Sequence, residues 1–339
     1  MADVGGLGGN NQDGGDAGAC PAGRFPDPRC ELRRGRARPA GTRHSLDDGH
    51  HGLRPGRAYT DDRGQSDAVR RAVAGAEGII HLAAKVSFTG KATEFDAVNV
   101  EGTRRLLRAA RAAGVQDMVF VSSPSVANSG AAIAGLGAEP ADPDRAHGDY
   151  SRTKARAELL ALAADAPDFR VAAVRPHIVW GPGDTQLVER VLDRARRRRL
   201  PLLDDGAALI DTTYVDNAAS AIAAALHRME HIHGRALVVS NGEPRPVGEL
   251  LAGICAAGGV PAPSWSAPGG LARAAGSLIE VLWTRSGRAG EPPMTRFLAE
   301  QLSTAHWFDQ RETRRLLDWA PAVSIDEGLA KLAGHYRAR

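Results

Sequence analysis

The feature that most constrains the fold is an alternation of strand and helix patterns that begins near residue 66. Strand patterns, which are short apolar runs, occupy 78–84, 117–123 and 169–176, and helical patterns occupy 95–113 and the stretch from 149 onward. Chains in which strands and helices alternate form parallel sheets with helices on both faces. The sequence therefore predicts an α/β fold with a doubly wound, Rossmann-like parallel sheet.

Residues 1–66 do not share this pattern. They hold 14 glycines and 10 arginines but few large apolar residues, and no strand or helical stripe is visible in them. Such a composition buries too little surface to offset the entropy of ordering, so we expect an irregular or disordered segment. Its Gly5–Gly9 run lacks the preceding strand and following helix of a phosphate-binding loop. The His50–His51 pair has no accompanying ligand set, and we expect no metal site.

The sequence divides into three parts: the atypical segment 1–66, a Rossmann-like core at 67–180, and a smaller substrate-binding region at 181–339 with a returning sheet strand near 236–240.

The net charge of +3 is too small to predict nucleic-acid binding, and the Arg196–Arg199 run fits a solvated helix end. No apolar run is long enough to span a membrane. Three cysteines without ligand spacing and the lack of a signal-peptide pattern favour a cytoplasmic protein.

Tyr150 and Lys154 are the first candidate catalytic residues, because a spacing of four places both on one helix face. A nearby ammonium favours the phenolate and lowers the pKa of a tyrosine, which suits it for proton transfer. The alternative is a packed tyrosine beside a solvated lysine. Ser123 follows the second strand pattern, at the sheet edge where α/β folds carry their sites, although a serine there can also simply cap a turn.

Asn99 is a further candidate on the helix predicted for 95–113. Phe95, Val98, Gly102 and Leu106 predict one buried stripe on this helix, and Asn99 shares that face. A buried amide needs hydrogen-bond partners, either nearby backbone groups or a water molecule beside the catalytic lysine. A later helix at 269–283 carries an apolar face that fits, in decreasing order of preference, the core, a lid over an apolar substrate, or a contact with a membrane surface.

Six further motifs lie along the chain: 81–84 (HLAA), 99–103 (NVEGT), 122–126 (SSPSV), 150–154 (YSRTK), 175–183 (RPHIVWGPG) and 211–217 (DTTYVDN). Together they resemble the extended short-chain dehydrogenase/reductase superfamily, also called the NAD-dependent epimerase/dehydratase superfamily, and the resemblance runs from about Ser66 to the end. Within this superfamily the chain resembles the branch of 3-beta-hydroxysteroid dehydrogenases. The runs 240–244, 290–302 and 324–328 are similar to bacterial 2-alkyl-3-oxoalkanoate reductases of olefin biosynthesis, a part of lipid metabolism.

The resemblance implies hydride transfer between a nicotinamide cofactor and a secondary alcohol or ketone. Tyr150 would protonate the carbonyl oxygen, Lys154 would lower the pKa of Tyr150 and bind the nicotinamide ribose, and Ser123 would hydrogen-bond the substrate oxygen. Asn99 would hold a water that links Lys154 to solvent. The residues implied to contact the cofactor are Ala83, Ala84, Ser122, Tyr150, Lys154, Pro176, His177, Ile178 and Val179.

The resemblance implies a large apolar substrate, first a 2-alkyl-3-oxoalkanoate reduced to its 3-hydroxy acid with NADPH. The second choice is a steroid or sterol 3-hydroxyl oxidised with NAD, and a catalytically impaired dinucleotide-sensing or scaffold protein is a third. A homodimer is expected from the family and from base rates. The family opens with a strand, a Gly-x-x-Gly-x-x-Gly turn and a helix, which residues 1–66 do not show. Our hypothesis is that this segment is translated out of frame and that the frame is restored near Gln65.

Overall fold

The computed structural model describes residues 62–87, 90–127, 130–286 and 295–338. These residues belong to the compact unit Tyr59–Arg339. The Gly5–Gly9 run, the His50–His51 pair and most of the atypical N-terminal segment lie outside the described residues, so the expectations for them stay predictions.

Helices and strands alternate through most of this unit. The α-helices are α1 (Asp62–Val73), α2 (Ala92–Phe95), α3 (Gly102–Ala112), α4 (Gly148–Leu162), α5 (Val188–Arg196), α6 (Val215–His227), α7 (Met229–Ile232), α8 (Val247–Ala257), α9 (Gly269–Arg285), α10 (Arg296–Ser303), α11 (Arg311–Leu317) and α12 (Ile325–Arg337). The strands are β1 (Gly78–His81), β2 (Asp117–Val121), β3 (Ile133–Leu136), β4 (Arg170–Pro176), β5 (Val179–Trp180), β6 (Leu202–Leu203), β7 (Leu209–Ile210), β8 (Thr213–Tyr214), β9 (Ala236–Val239), β10 (Arg245–Pro246), β11 (Ser266–Ala267) and β12 (His306–Phe308).

The central sheet has the strand order β1-β2-β4-β9, and every neighbouring pair is parallel. His81 pairs with Phe120, Val121 with Val174, and Pro176 with Val239, so the four strands end at one edge. The prediction of a parallel, Rossmann-like sheet is confirmed. The carboxyl edge of this sheet is where such folds bind their ligands.

Alternate residues of the sheet enter two separate cores, because successive strand side chains point to opposite faces. On one face, Met118 and Phe120 pack with residues of α3 and α4 such as Leu107 and Ala157. On the other face, Val119 packs with residues of α6 and α7. Both faces are covered, which explains why the strands are continuous apolar runs.

A short strand, β3, lies in the connection between β2 and α4, where the sequence shows neither a strand nor a helical pattern. Strand β3 pairs in parallel with β12, within a second small sheet of order β10-β7-β12-β3. The sequence did not predict this strand, since a four-residue strand whose partner is remote in sequence leaves little periodic signal. The strand leads the chain from the edge near β2 toward the C-terminal region.

The predicted helix at 95–113 contains a π-helical segment at Asp96–Glu101. One extra residue per turn shifts the buried face, so Val98 is 39% exposed whereas Val100 is buried. The prediction that Val98 lies in the stripe is therefore wrong. Asn99 is buried as predicted, at 1% exposure. Single π-helical turns inside α-helices are frequently found at functional sites.

Helix α9 presents an apolar face to solvent. Leu271, Leu278 and Leu282 are each more than half exposed. The preferred assignment of this face to the core is wrong, because these side chains have no covering partner among the described residues. Within the described part of the chain, we find no helix that is both long and apolar enough to cross a bilayer.

Candidate active site

Lys154 lies beneath the carboxyl edge of the sheet and is 3% exposed. Its Nζ donates a hydrogen bond to the carbonyl oxygen of Val121 at 2.7 Å, and it lies 4.1 Å from the centroid of the Phe120 ring. Burial lowers the pKa of Lys154 to about 8, and the Glu158 carboxylate opposes this effect. The solvated-lysine alternative is therefore wrong, and Lys154 is fixed to the end of β2.

Tyr150 lies one helical turn before Lys154 in α4. Burial raises the pKa of Tyr150, and a side-chain hydrogen bond from Ser123 partly opposes the rise. The loss of phenolate hydration sets the direction of this shift, and the expectation that Lys154 favours the phenolate stays a prediction. The phenol thus keeps its proton at neutral pH, next to the Ser123 hydroxyl.

Ser123 and Ser122 follow the last residue of β2. Ser123 begins the 3₁₀ turn at Pro124–Val126, and its Oγ accepts a hydrogen bond from the Ser125 amide at 3.3 Å. The turn-capping role considered for this serine is thus present together with the contact to Tyr150. Ser122 is 7% exposed, and its hydroxyl has no hydrogen-bond partner among the described residues. A buried hydroxyl of this kind at the sheet edge fits a bound polar group.

The Asn99 amide fastens the segment that follows β1 to helix α4. The Lys85 amide donates to Asn99 Oδ1 at 2.7 Å, and Asn99 Nδ2 donates to the Lys85 carbonyl at 3.3 Å and to Thr153 Oγ1 at 2.9 Å. Both of its amide N–H groups are therefore used by protein groups. The structure supports the alternative of an asparagine that bonds nearby backbone, and the water expected beside Lys154 stays a prediction.

His81 is a site residue whose role the sequence did not indicate. Its Nε2 lies 3.0 Å from Thr103 Oγ1, and Thr103 donates its one hydroxyl proton to the Asn99 carbonyl at 2.7 Å. The proton of the His81–Thr103 bond must then come from His81 Nε2. Burial and the Lys154 charge lower the pKa of His81 to about 4, so the ring is neutral.

The residues predicted to line the nicotinamide end lie after β1 and around the end of β4. Ala83 is exposed and Ala84 half-buried. Ile178 has a φ of 43°, a left-handed conformation that is rare for a β-branched residue and is found mostly at functional sites. The His177 ring is buried, donates from Nδ1 to the Asp211 carbonyl, and packs edge-on against Phe308 at 5.0 Å.

Small side chains, a buried hydroxyl and a strained backbone at one sheet edge fit the nicotinamide end of a dinucleotide. The His177 side chain is directed into the protein, so any contribution of this residue would come from its backbone. These cofactor contacts stay predictions. The dinucleotide's phosphate-binding turn would lie in the part of the chain outside the described residues.

An ion pair between Glu158 and Arg175 is the largest element of the site that sequence reasoning missed. Both side chains are buried and joined by two hydrogen bonds. A signal existed, because Glu158 continues the spacing of four that links Tyr150 and Lys154 along the helix. The partner Arg175 could not be found in this way, since it lies on a different element.

The model of the 3-beta hydroxysteroid dehydrogenase/isomerase family matches residues 57–268. Together with the parallel sheet, this match defines an oxidoreductase of the extended short-chain dehydrogenase/reductase type. The chain belongs to the 3-beta hydroxysteroid dehydrogenase/isomerase family. The superfamily resemblance found in the motifs is confirmed.

The relatives agree with the narrower resemblance as well. A 2-alkyl-3-oxoalkanoate reductase of Stenotrophomonas maltophilia is 41% identical over 80% of this chain and 84% of its own length. Another 2-alkyl-3-oxoalkanoate reductase, from Shewanella oneidensis, is 33% identical over 78% of this chain and 72% of its own length. Among solved structures, MoeE5 in complex with UDP-glucose and NAD shares the fold with a TM-score of 0.59 and 22% identity, over 80% of this chain and 82% of that one.

Proposed function

We propose that the protein reduces a 2-alkyl-3-oxoalkanoate to the corresponding 3-hydroxy acid with NADPH. The observation that carries the proposal is the meeting of Ser123, Tyr150 and Lys154 at the carboxyl edge of the sheet. The match to this chain extends over most of the length of each of the two relatives named for this activity. Both kinds of observation favour the same reaction.

In the proposed mechanism, a bound nicotinamide dinucleotide would supply the hydride that the carbonyl carbon accepts. Tyr150 gives its phenolic proton to the carbonyl oxygen, and Ser123 donates a hydrogen bond to the same oxygen, where negative charge grows in the transition state. The Lys154 ammonium stabilises the phenolate that this leaves and would bind the nicotinamide ribose. Ser122, Ala83, Ala84 and the backbone of 176–179 would hold the nicotinamide end.

The protonation state of Tyr150 favours the reducing direction. Reduction of a ketone needs a tyrosine that can donate a proton to the carbonyl oxygen. Oxidation of an alcohol needs a tyrosinate that can accept the hydroxyl proton. Burial raises the pKa of Tyr150, so the neutral phenol is the resting form. Oxidation of a sterol 3-hydroxyl with NAD, the second candidate suggested by the family, requires the phenolate and is less well served by this environment.

The choice of NADP(H) over NAD(H) follows the resemblance to the reductases, and the residues that decide it in this family precede the described part of the chain.

We keep the hypothesis that residues 1–66 are out of frame. Reading the DNA in the other two frames tests it, and a frame with a strand followed by Gly-x-x-Gly-x-x-Gly is expected. If neither frame contains one, the hypothesis is wrong. In either case the chain must be tested for cofactor affinity.

The proposal is tested by assaying the full chain with both substrate classes and both cofactors. We expect NADPH consumption with a 2-alkyl-3-oxoalkanoate, and NADP⁺ reduction with the 2-alkyl-3-hydroxyalkanoate, which avoids the spontaneous decarboxylation of 3-oxo acids. Turnover of a 3-beta-hydroxysteroid with NAD⁺ alone would favour the second candidate. The absence of cofactor binding even at high concentration would favour the scaffold alternative.

The proposed setting of the reaction is a cytoplasmic homodimer that takes up an apolar substrate. The exposed face of α9, with Leu271, Leu278 and Leu282, supports contact with a membrane surface or with the substrate as it enters. Sedimentation with lipid vesicles, with and without Leu278→Glu, tests the membrane contact. Size-exclusion chromatography with light scattering tests the dimer.

A further inference from the structure

Helix α4 carries a buried carboxylate directly below the proposed catalytic pair, and the mechanism above does not use it. Glu158 lies one helical turn after Lys154 and is 0% exposed, and Arg175 on β4 is 1% exposed. Arg175 Nε donates to Glu158 Oε2 at 2.9 Å, and a second guanidinium nitrogen donates to Oε1. Buried ion pairs add little net stability, because both charges lose their hydration. The pair therefore calls for another explanation.

The third nitrogen of the Arg175 guanidinium reaches a different part of the site. Nη1 donates to the backbone carbonyl of Glu139 at 2.7 Å. Glu139 lies on the connection between Ser123 and Tyr150. One planar side chain thus joins β4, helix α4 and the segment whose two ends carry the proposed proton donor and its hydrogen-bonding partner.

The electrostatic surroundings make Glu158 the carboxylate that acts on Lys154. Titratable groups face Lys154 from several elements: neutral His81 from β1, neutral Tyr150 and anionic Glu158 from α4, with Arg175 behind Glu158 on β4. The carboxylates of α2 and the π-helical segment are engaged elsewhere, Glu94 with Lys85 and Asp96 with Arg156. Burial lowers the pKa of Lys154, and the Glu158 charge opposes that fall.

We propose that Glu158 and Arg175 form a positioning unit, in which Glu158 keeps the proton on the Lys154 ammonium and Arg175 fixes both Glu158 and the segment between Ser123 and Tyr150. The catalytic consequence rests on the proposed function, because only there must Lys154 stay charged. The effect of Glu158 on Lys154 is a property of the protein alone. It can be measured whether or not any substrate is reduced.

The chain offers a direct measurement, because it has only four lysines: Lys85, Lys91, Lys154 and Lys331. We would label lysine side chains with ¹³C at Cε in the full chain, assign the Lys154 signal as the one lost in Lys154→Arg, and titrate it by NMR. The test variants are Glu158→Gln and the double variant Glu158→Gln/Arg175→Gln, which removes the Arg175 charge together with that of its partner. The matched control is Asp117→Asn, because Asp117 and Arg170 form the same two-bond pair at the other end of β2 and β4.

We expect the pKa of Lys154 to fall by about 1 or more in Glu158→Gln, since an opposite charge at this range shifts a pKa by about 1–3. In the double variant it should also fall, but by less, because removal of the Arg175 cation partly offsets the loss of the carboxylate. It should not change in Asp117→Asn. If a folded Glu158 variant keeps the wild-type Lys154 titration, the proposal is wrong. If neither Glu158 variant folds, the pair has a structural role alone and the proposal is also overturned.

Kinetics add the catalytic part of the test. In the wild type, kcat/KM for 3-oxo acid reduction should fall at alkaline pH as Lys154 loses its proton. That alkaline limb should move to lower pH in Glu158→Gln/Arg175→Gln by as much as the NMR titration moves, and stay in place in Asp117→Asn. A wild-type chain that reduces no 3-oxo acid contradicts the proposed function, and the NMR titration still decides the role of Glu158. If the alkaline limb of kcat/KM stays in place in the double variant while the NMR titration of Lys154 moves, the catalytic role of Glu158 is overturned.

Discussion

Replacing His177 by asparagine is expected to make the fold less sensitive to acid. Burial lowers the pKa of His177 to about 3, whereas an unfolded histidine titrates near 6.5. Between these two values the unfolded state binds more protons than the native state, so the free energy of unfolding falls as the pH decreases from 6.5. Asparagine can still donate from Nδ2 to the Asp211 carbonyl, as His177 Nδ1 does, but it does not titrate.

The size of the effect follows from three buried groups. At pH 5, His177 and His81, whose pKa is lowered to about 4, each remove about 2 kcal/mol of stability relative to pH 8. Asp211 acts in the opposite direction, because burial raises its pKa to about 6 and its native form takes up a proton before the unfolded form does. It returns about 1 kcal/mol, so these three groups together lose about 3 kcal/mol, and buried His306, whose pKa is also lowered, adds to that loss. His177→Asn should remove about 2 kcal/mol of the loss.

Urea denaturation at pH 8, 7, 6 and 5 measures this difference for the wild type, His177→Asn and the control His227→Asn, which changes an exposed histidine at the end of α6. The loss of the ring contact with Phe308 lowers stability at every pH, so the informative quantity is the difference between pH 8 and pH 5. Equal pH differences in the wild type and His177→Asn would refute the reasoning.

Three further substitutions test other parts of the structure. Tyr150→Phe should abolish turnover while the circular dichroism spectrum and the melting temperature stay near those of the wild type; retention of full activity would remove the proposed role. Asn99→Ala should lower the free energy of unfolding by about 2–4 kcal/mol in urea denaturation, because the Lys85 amide and Thr153 lose a partner, and an unchanged midpoint would show that this link is dispensable. Gly276→Ala should destabilise α9 against α10 by about 1–3 kcal/mol, since an added Cβ would lie 2.6 Å from the Thr295 carbonyl carbon; Gly334→Ala, in open space on α12, is the control and should not lower the melting temperature.

Local pattern was sufficient for the central sheet and for part of the site. The strands at β1, β2, β4 and β9 are apolar runs with helical patterns between them, and two-sided burial makes such runs visible in a sequence. The spacing of Tyr150 and Lys154 fixed their common helix face, and the position of Ser123 after a strand fixed its place at the sheet edge. These inferences need only the period of each element and the topology that parallel strands require.

Local pattern was insufficient where a remote partner or one inserted residue sets the outcome. The π-helical segment turned Val98 outward and kept Asn99 inside, which no regular period predicts. The face of α9 looked like a core face, but exposure depends on whether another element covers it. The partners of Asn99 lie 14 and 54 residues away, so its role could be read only from the folded chain.

The sequence by itself thus determined the fold class, the family and the three residues proposed for proton transfer. Tertiary structure alone decided the electrostatics: that burial holds the proton on Tyr150, that Lys154 is bound to the Val121 carbonyl, and that Glu158 and Arg175 lie beneath it. The physical reason is that periodicity is a short-range property of the chain. Desolvation and charge pairing depend on which distant groups folding brings together, and they set the chemistry of the site.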